Sequence, residues 1–257
     1  MLGKAIFNYY WFGTCLRYLQ DCPPGVSVGV DGDGRVLGNL KSFLRFLDDL
    51  GLIVTRRASD EIEALHMRFA ALDPEHPLDE SERNELSAAF RQVRPTLEAE
   101  LKGHTAFVVT PKIIDVQKLL NEVSTLLRPG VFERLPDVAR LDLSEAGRCI
   151  AFERPTAAAF HILRATEAVL RSFYRFLVRK KRIKSDLWGP LVADMRTRRK
   201  LHVHAELLNH LDHIRHAFRN PTQHPEKVYD IHEVQELWNL CIDAINRMAI
   251  ALEQRAA

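Results

Sequence analysis

The chain has 257 residues, 46% of them hydrophobic, and a formal net charge of +2. That length and apolar content support one large or two small domains with a sizeable core and exclude a globally disordered chain. No apolar run approaches the roughly 20 residues that span a bilayer, so a membrane is not an expected partner. Residues 1–12 are apolar and aromatic but lack a small-residue cleavage site, so a signal peptide is not expected. Cys15, Cys22, Cys149 and Cys241 are scattered, with no Cys-x-x-Cys. This fits reduced core thiols in a cytoplasm better than a disulfide frame or a zinc site.

Along the chain, Pro23-Pro24-Gly25 opens a β-type run at 26–30, Asp31-Gly32-Asp33-Gly34 turns, and Arg35-Val36-Leu37 follows, which predicts a small hairpin. The Asp-Gly-Asp-Gly tetrad is not a calcium loop, because Arg35 and Val36 occupy positions that need a ligand and a glycine. Asn39 is a candidate cap for a helix with Leu40, Phe43, Leu44, Leu47 and Leu50 on one face, closed by Gly51. Asp60 with Glu63, and Asp79 with Glu82, have capping-box spacing. The second of these helices is expected to end before Pro95. Further helices are predicted over 112–127 and 141–152.

Pro155 suits a first helical position. Phe160, Leu163, Val169, Leu170, Phe173, Phe176 and Leu177 then give a wide apolar face. A helix over 206–218 should stop near Arg219, because Pro221 biases Asn220 away from the α region. Asp230 and Glu233 box the last helix, whose apolar face includes Val234, Trp238, Cys241, Ile245 and Met248. The reading is a mainly α protein. An N-terminal helical region with a small β-hairpin covers 1–104, and a helical bundle covers 105–257.

Charge is uneven. Between Arg171 and Lys200 lie Arg175, Arg179, Lys180, Lys181, Arg182, Lys184, Arg196, Arg198 and Arg199, opposed only by Asp186 and Asp194. Residues 60–100 are rich in Asp and Glu. The basic block reads either as a polyanion site or as a solvated helix end and loop. As a polyanion site, Arg179, Lys180, Lys181, Arg182, Arg198, Arg199 and Lys200 are the candidate RNA-binding residues.

Between the last two helices the chain reads Arg219-Asn220-Pro221-Thr222-Gln223-His224-Pro225. Arginine binds phosphate, histidine moves protons near neutral pH, and an amide positions either. The spacing alone carries little, since Arg199 and His204 repeat it. Location separates the two pairs: Arg219 and His224 flank a proline-marked connection between helices that must pack together.

This segment, Arg-Asn followed by His at the entry to the last helix of a small bundle, resembles the motif of HEPN domains. The stretch from Ala157 to Leu170 resembles their long core helix, and the likeness covers about residues 146–253. The resemblance implies a metal-independent endoribonuclease with no cofactor, working as a homodimer whose two motifs meet in one cleft. Arg219 would bind the scissile phosphate and His224 would transfer protons as the 2′-hydroxyl attacks. Asn220 would orient either of them, and the products would be a 2′,3′-cyclic phosphate and a 5′-hydroxyl. By family analogy the protein would be a prokaryotic toxin or antiphage defence effector, with RNA as substrate and a cognate antitoxin or regulatory partner. Many HEPN domains cleave nothing, so a non-catalytic nucleotide- or partner-binding module stays open.

Arg164 and Glu167 lie at i, i+3 on the core helix, and Glu167 lies four before Arg171. They form either a surface salt-bridge ladder or accessory residues that orient His224. His202, His204, His210, His213 and His216 offer a rival metal site, but no His-Glu-x-x-His occurs. A Ser–His–Asp hydrolase is disfavoured by the missing Gly-x-Ser-x-Gly elbow.

Overall fold

Apolar residues at helical spacing bury into one core in each of two units of the chain, Met1–Phe107 and Val108–Ala257. The structure is a computed structural model that describes residues 6–178, 185–224 and 226–256. It is mainly α-helical, as the pattern predicts, and no strand forms among the described residues.

In the first unit, α1 (Ile6–Gln20) packs on α2 (Val36–Leu50), followed by α3 (Ile53–Arg57), α4 (Asp60–Ala70) and α5 (Glu80–Lys102). Phe12 stacks on Phe46 with ring centroids 4.3 Å apart, and Phe43 meets Phe90 edge-on at 4.9 Å. The expected hairpin does not form. The run at 26–30 makes one antiparallel bridge, Ser27 to Pro77, and residues 36–37 begin α2 instead. Asp33 explains the change. Its carboxylate accepts the backbone N–H groups of Val30 and Arg35 at 2.9 Å each, and Gly32 and Gly34 take φ of +90° and +75°. The loop therefore closes tightly and delivers Val36 into a helix.

Capping follows the sequence at α5, where Asp79 and Glu82 make both bonds of a capping box. It departs at α4: Ser59 precedes the helix, its hydroxyl donates to the Thr55 carbonyl, and Glu63 pairs with Arg56 instead. Asn39 lies inside α2 and donates to the Gly34 and Arg35 carbonyls, while Gly51 closes that helix in the left-handed region as expected. Helix α5 does not end before Pro95 but runs through it to Lys102. The buried stripe Leu86, Ala89, Phe90, Val93 and Leu97 continues across the proline. Its burial outweighs the roughly 3 kcal/mol that an interior proline costs.

In the second unit the predicted helix over 112–127 is shorter and broken. Asp115 caps α6 (Val116–Asn121), Glu122 leaves the helical region at φ −135°, and a 3₁₀ turn covers Val123–Leu126. The short α7 (Val131–Arg134) leads to α8 (Asp137–Ala151) and α9 (Pro155–Leu177). Their brief connection makes α8 and α9 neighbours, and α9 is the central helix, packed by α8 on one side and α13 (Ile231–Ala256) on another. Between them come α10 (Trp188–Thr197), which the sequence reading did not anticipate, and α11 (Ala205–Ile214). Trp188 anchors α10 by donating its indole N–H to the Leu211 carbonyl at 3.2 Å. Phe173 and Trp238 are buried as expected, whereas Phe160 and Phe176, expected on the same apolar face of α9 as Phe173, are exposed. Asp230 accepts the backbone N–H groups of His232 and Glu233, but the Glu233 side chain turns to Lys227 rather than completing a box.

The largest departure lies at the connection of interest. The chain does not leave the helical region at Asn220. A π turn covers Arg215–Arg219, with the Asn220 N–H donating to the Arg215 carbonyl, and α12 (Asn220–Thr222) follows directly. Asn220 is right-handed helical at φ −66°, ψ −49°. Widening the turn before Pro221 removes the clash that stops an ordinary α-helix, and the proline sits in a new first turn where its missing N–H costs least.

Gly147 shows how closely α6 approaches α8: a Cβ there would meet the Leu119 carbonyl and lie 2.9 Å from Val123 Cγ2. Gly147→Ala is expected to lower the unfolding free energy by about 1–3 kcal/mol despite the better helix propensity of alanine. A urea midpoint at or above the wild type's would refute that close approach.

Candidate functional site

Three side chains on one face of α9 define the site. His161, Arg164 and Glu167 are spaced at three residues, so each lies about one turn beyond the last. Opposite His161 and Arg164, α8 presents Asp142, whose side chain is 0% exposed. Arg164 Nε donates to Asp142 Oδ2 at 2.6 Å, its Nη2 reaches Oδ1, and His161 Nδ1 lies 2.8 Å from Oδ1. Burial pushes the Asp142 carboxyl up, but the Arg164 and His161 hydrogen bonds and charges outweigh it and hold the group below the usual carboxylate range.

One turn further along α9, Glu167 accepts from Arg171 at 2.6 Å and, more loosely, from Arg219 Nη2 at 3.4 Å. Arg219 is the last residue of the π turn and its side chain is 26% exposed. Hydroxyl groups secure the turn: the Phe218 carbonyl accepts from Thr222 Oγ1 at 2.6 Å. The Tyr229 hydroxyl has one proton to give, to Thr222 Oγ1 at 2.6 Å or to the same carbonyl at 3.2 Å. The result is a cleft of about 300 Å³ lined by Phe160, His161, Arg164, Glu167, Arg219 and Gln223, among others. Arg164, Arg171 and Arg219 face Asp142 and Glu167, so the surroundings carry a net positive charge, and Phe160 offers an aromatic ring that is 50% exposed.

Of the sequence candidates, the structure brings together Arg219, Glu167 and Arg164. Glu167 contacts Arg219 and Arg171 rather than orienting His224, and Arg164 belongs to Asp142. Asn220 is exposed on α12. His224 is exposed on the bend that follows, with its backbone N–H donating to the Pro221 carbonyl, and it is not among the residues lining the cleft. Arg179, Lys180, Lys181 and Arg182 lie outside the described residues. Arg198 pairs with Asp194 at 2.5 Å, Lys200 is exposed, and Arg199 belongs to the 3₁₀ turn Arg199–Leu201.

The described part of the basic block is thus largely met by acids. Arg175 reaches Asp186 and Arg196 reaches Asp212. Among the described residues no group of three His, Cys, Asp or Glu side chains converges as a metal ligand set. His210 is instead bound to the Leu240 carbonyl, and His213 packs edge-on against Phe218.

Sequence reasoning passed over His161 and Asp142. Two signals could have found them: His161 shares a helical face with Arg164 and Glu167, and Asp142 stands in an apolar stripe beside Ala139, Leu143 and Ala146. Compared with known proteins, the chain matches no family model, no curated protein and no solved structure.

Because the Asp142 pKa is depressed in the folded state, its contribution to stability is present above the unfolded value of about 4 and fades as pH falls through the folded value. Asp142→Asn is expected to cost about 3 kcal/mol at neutral pH, at the low end for a buried ion pair because Arg164 remains partly solvated. It should also flatten the loss of stability below about pH 4. Urea denaturation between about pH 7 and pH 3 measures both effects.

Proposed function

We propose that the second unit is a metal-independent endoribonuclease of HEPN type, cleaving RNA by attack of its own 2′-hydroxyl at a site completed by a homodimer. The observation that carries the reading is Arg219, held at the end of a π turn and opening into a positively charged cleft with an aromatic wall. A guanidinium there has N–H donors left for a phosphodiester, because its contact with Glu167 is long. An exposed histidine, His224, follows five residues later and is available as a proton carrier. Phe160 supplies a face on which an unpaired base can stack. In a prokaryotic cytoplasm such an activity would act as a toxin or defence effector under the control of a partner, a role that rests on the resemblance alone. No described helix is long and apolar enough to cross a membrane.

A second reading, a non-catalytic nucleotide- or partner-binding module, is favoured by the absence of His224 from the residues lining the cleft. The two readings separate in one assay. Under the first, purified protein cleaves single-stranded RNA in EDTA, and Arg219→Ala and His224→Ala each lower kcat by about 100-fold or more. Binding without cleavage, lost in Arg219→Ala, supports the second instead.

A further inference from the structure

We infer that His161, held by Asp142, is the general base of the Arg219 cleft, taking the proton from the 2′-hydroxyl of an RNA phosphodiester bound between Arg219 and Phe160. The inference rests on the endoribonuclease reading and adds to it a catalytic residue outside the Arg219–His224 motif. Asp142 is fully buried and lies 2.8 Å from His161 Nδ1, so the neutral imidazole carries its hydrogen there and keeps the lone pair on Nε2. The ring is 30% exposed and lines the same cleft as Arg219. A carboxylate that fixes the tautomer of a histidine, beside an arginine that can bind the reacting phosphate, is the arrangement that proton abstraction next to a phosphate needs. The charged groups around His161 are Asp142 from α8, Arg164 and Glu167 from its own helix, and Arg219 from the π turn.

The step balances without a co-reactant. Nε2 of His161 takes the 2′-hydroxyl proton, the 2′-oxygen forms a bond to phosphorus, and the bond from phosphorus to the 5′-oxygen breaks. His224 does not line the cleft of its own protomer, so the protonated His224 of the second protomer of the proposed dimer gives its proton to the departing 5′-oxygen. The products are a 2′,3′-cyclic phosphate and a 5′-hydroxyl, and solvent returns both histidines to their starting forms. Arg219 stabilises the charge that grows on the non-bridging oxygens. On this assignment one protomer holds both the arginine and the base.

The test is kinetic. His161→Asn is the informative variant, because its amide nitrogen stands close to the position of Nδ1, keeps a donor for Asp142 and deletes Nε2. It is expected to lower kcat by about 100-fold or more with KM changed only a few-fold, and to abolish the acid limb of the kcat/KM profile. A substrate whose scissile 5′-oxygen is replaced by sulfur loses its leaving group without a proton. That substrate should restore His224→Ala and leave His161→Asn slow. An unchanged rate in His161→Asn, a retained acid limb, or rescue of His161→Asn by the sulfur substrate overturns the assignment while the endoribonuclease reading stands. The wild type supplies a measurement independent of any variant: kcat/KM must rise through an ionisation on the acid side, and a flat acid side overturns the assignment. No RNA cleavage by the wild type overturns the assignment and the endoribonuclease reading together.

Discussion

Asp142 is a carboxylate without access to solvent, and the arrangement of the cleft depends on how it is satisfied. Removing an ion from water costs several kcal/mol, and only well-placed hydrogen bonds recover it. Both of its partners come from α9, His161 and Arg164, three residues apart on one face. A slide of one helix along the other by a single turn would strand the carboxylate. The triad therefore specifies the register of α8 against α9 more than it adds to net stability. With that register set, Glu167 follows one turn beyond Arg164 and faces the π turn that carries Arg219. The order of dependence runs from a buried acid to an arginine fifty-two positions beyond Glu167 in the chain.

The π turn is the second constraint, and it works with the proline. One extra residue in a turn rotates everything after it by about 100° relative to an unbroken α-helix. Without it, Arg219 would emerge from a different side of the helix and Pro221 would clash with the preceding turn. The carbonyls disturbed by the wider turn need new donors, and the Thr222 hydroxyl serves the Phe218 carbonyl, with the Tyr229 hydroxyl in reach of both. Tyr229 is buried, and its own N–H donates to Thr156 Oγ1 at the start of α9. Both ends of the connection are thus fixed to the bundle, while Gln223, His224, Glu226 and Val228 between them are exposed.

How much of this could be read from the sequence depends on the range of each interaction. The Asp79–Glu82 box, Pro155 at a first turn and the apolar face of α13 are local patterns, and the structure has them. Pro95 and Pro221 misled the reading because proline reports only the local cost, whereas the stripe through Phe90, Val93 and Leu97 and the π turn decide the outcome. The described part of the basic block has the same limit: Arg196 is bonded in space to Asp212, sixteen residues away, so the pairing of that charge could not be read from the run itself. Arg219 and Glu167 were legible as chemistry, one by motif and one by helical spacing. His161 was not singled out, because its meaning comes from Asp142, nineteen residues earlier on another helix.

The state of Arg219 then follows from the pairing of Glu167. That carboxylate is held at 2.6 Å by Arg171 and touches Arg219 at 3.4 Å, so its charge is already satisfied on one side. A partly exposed pair with such a long contact contributes less than about 1 kcal/mol. A phosphodiester that takes Arg219 away therefore strands no charge, because Glu167 keeps Arg171. Asp142 behaves oppositely: its bonds are short and it is fully buried, so Arg164 and His161 are bound to stay where they are. The cleft thus combines an arginine that is cheap to recruit with a histidine that is costly to move. That combination gives an anion a partner without loosening the group beside it.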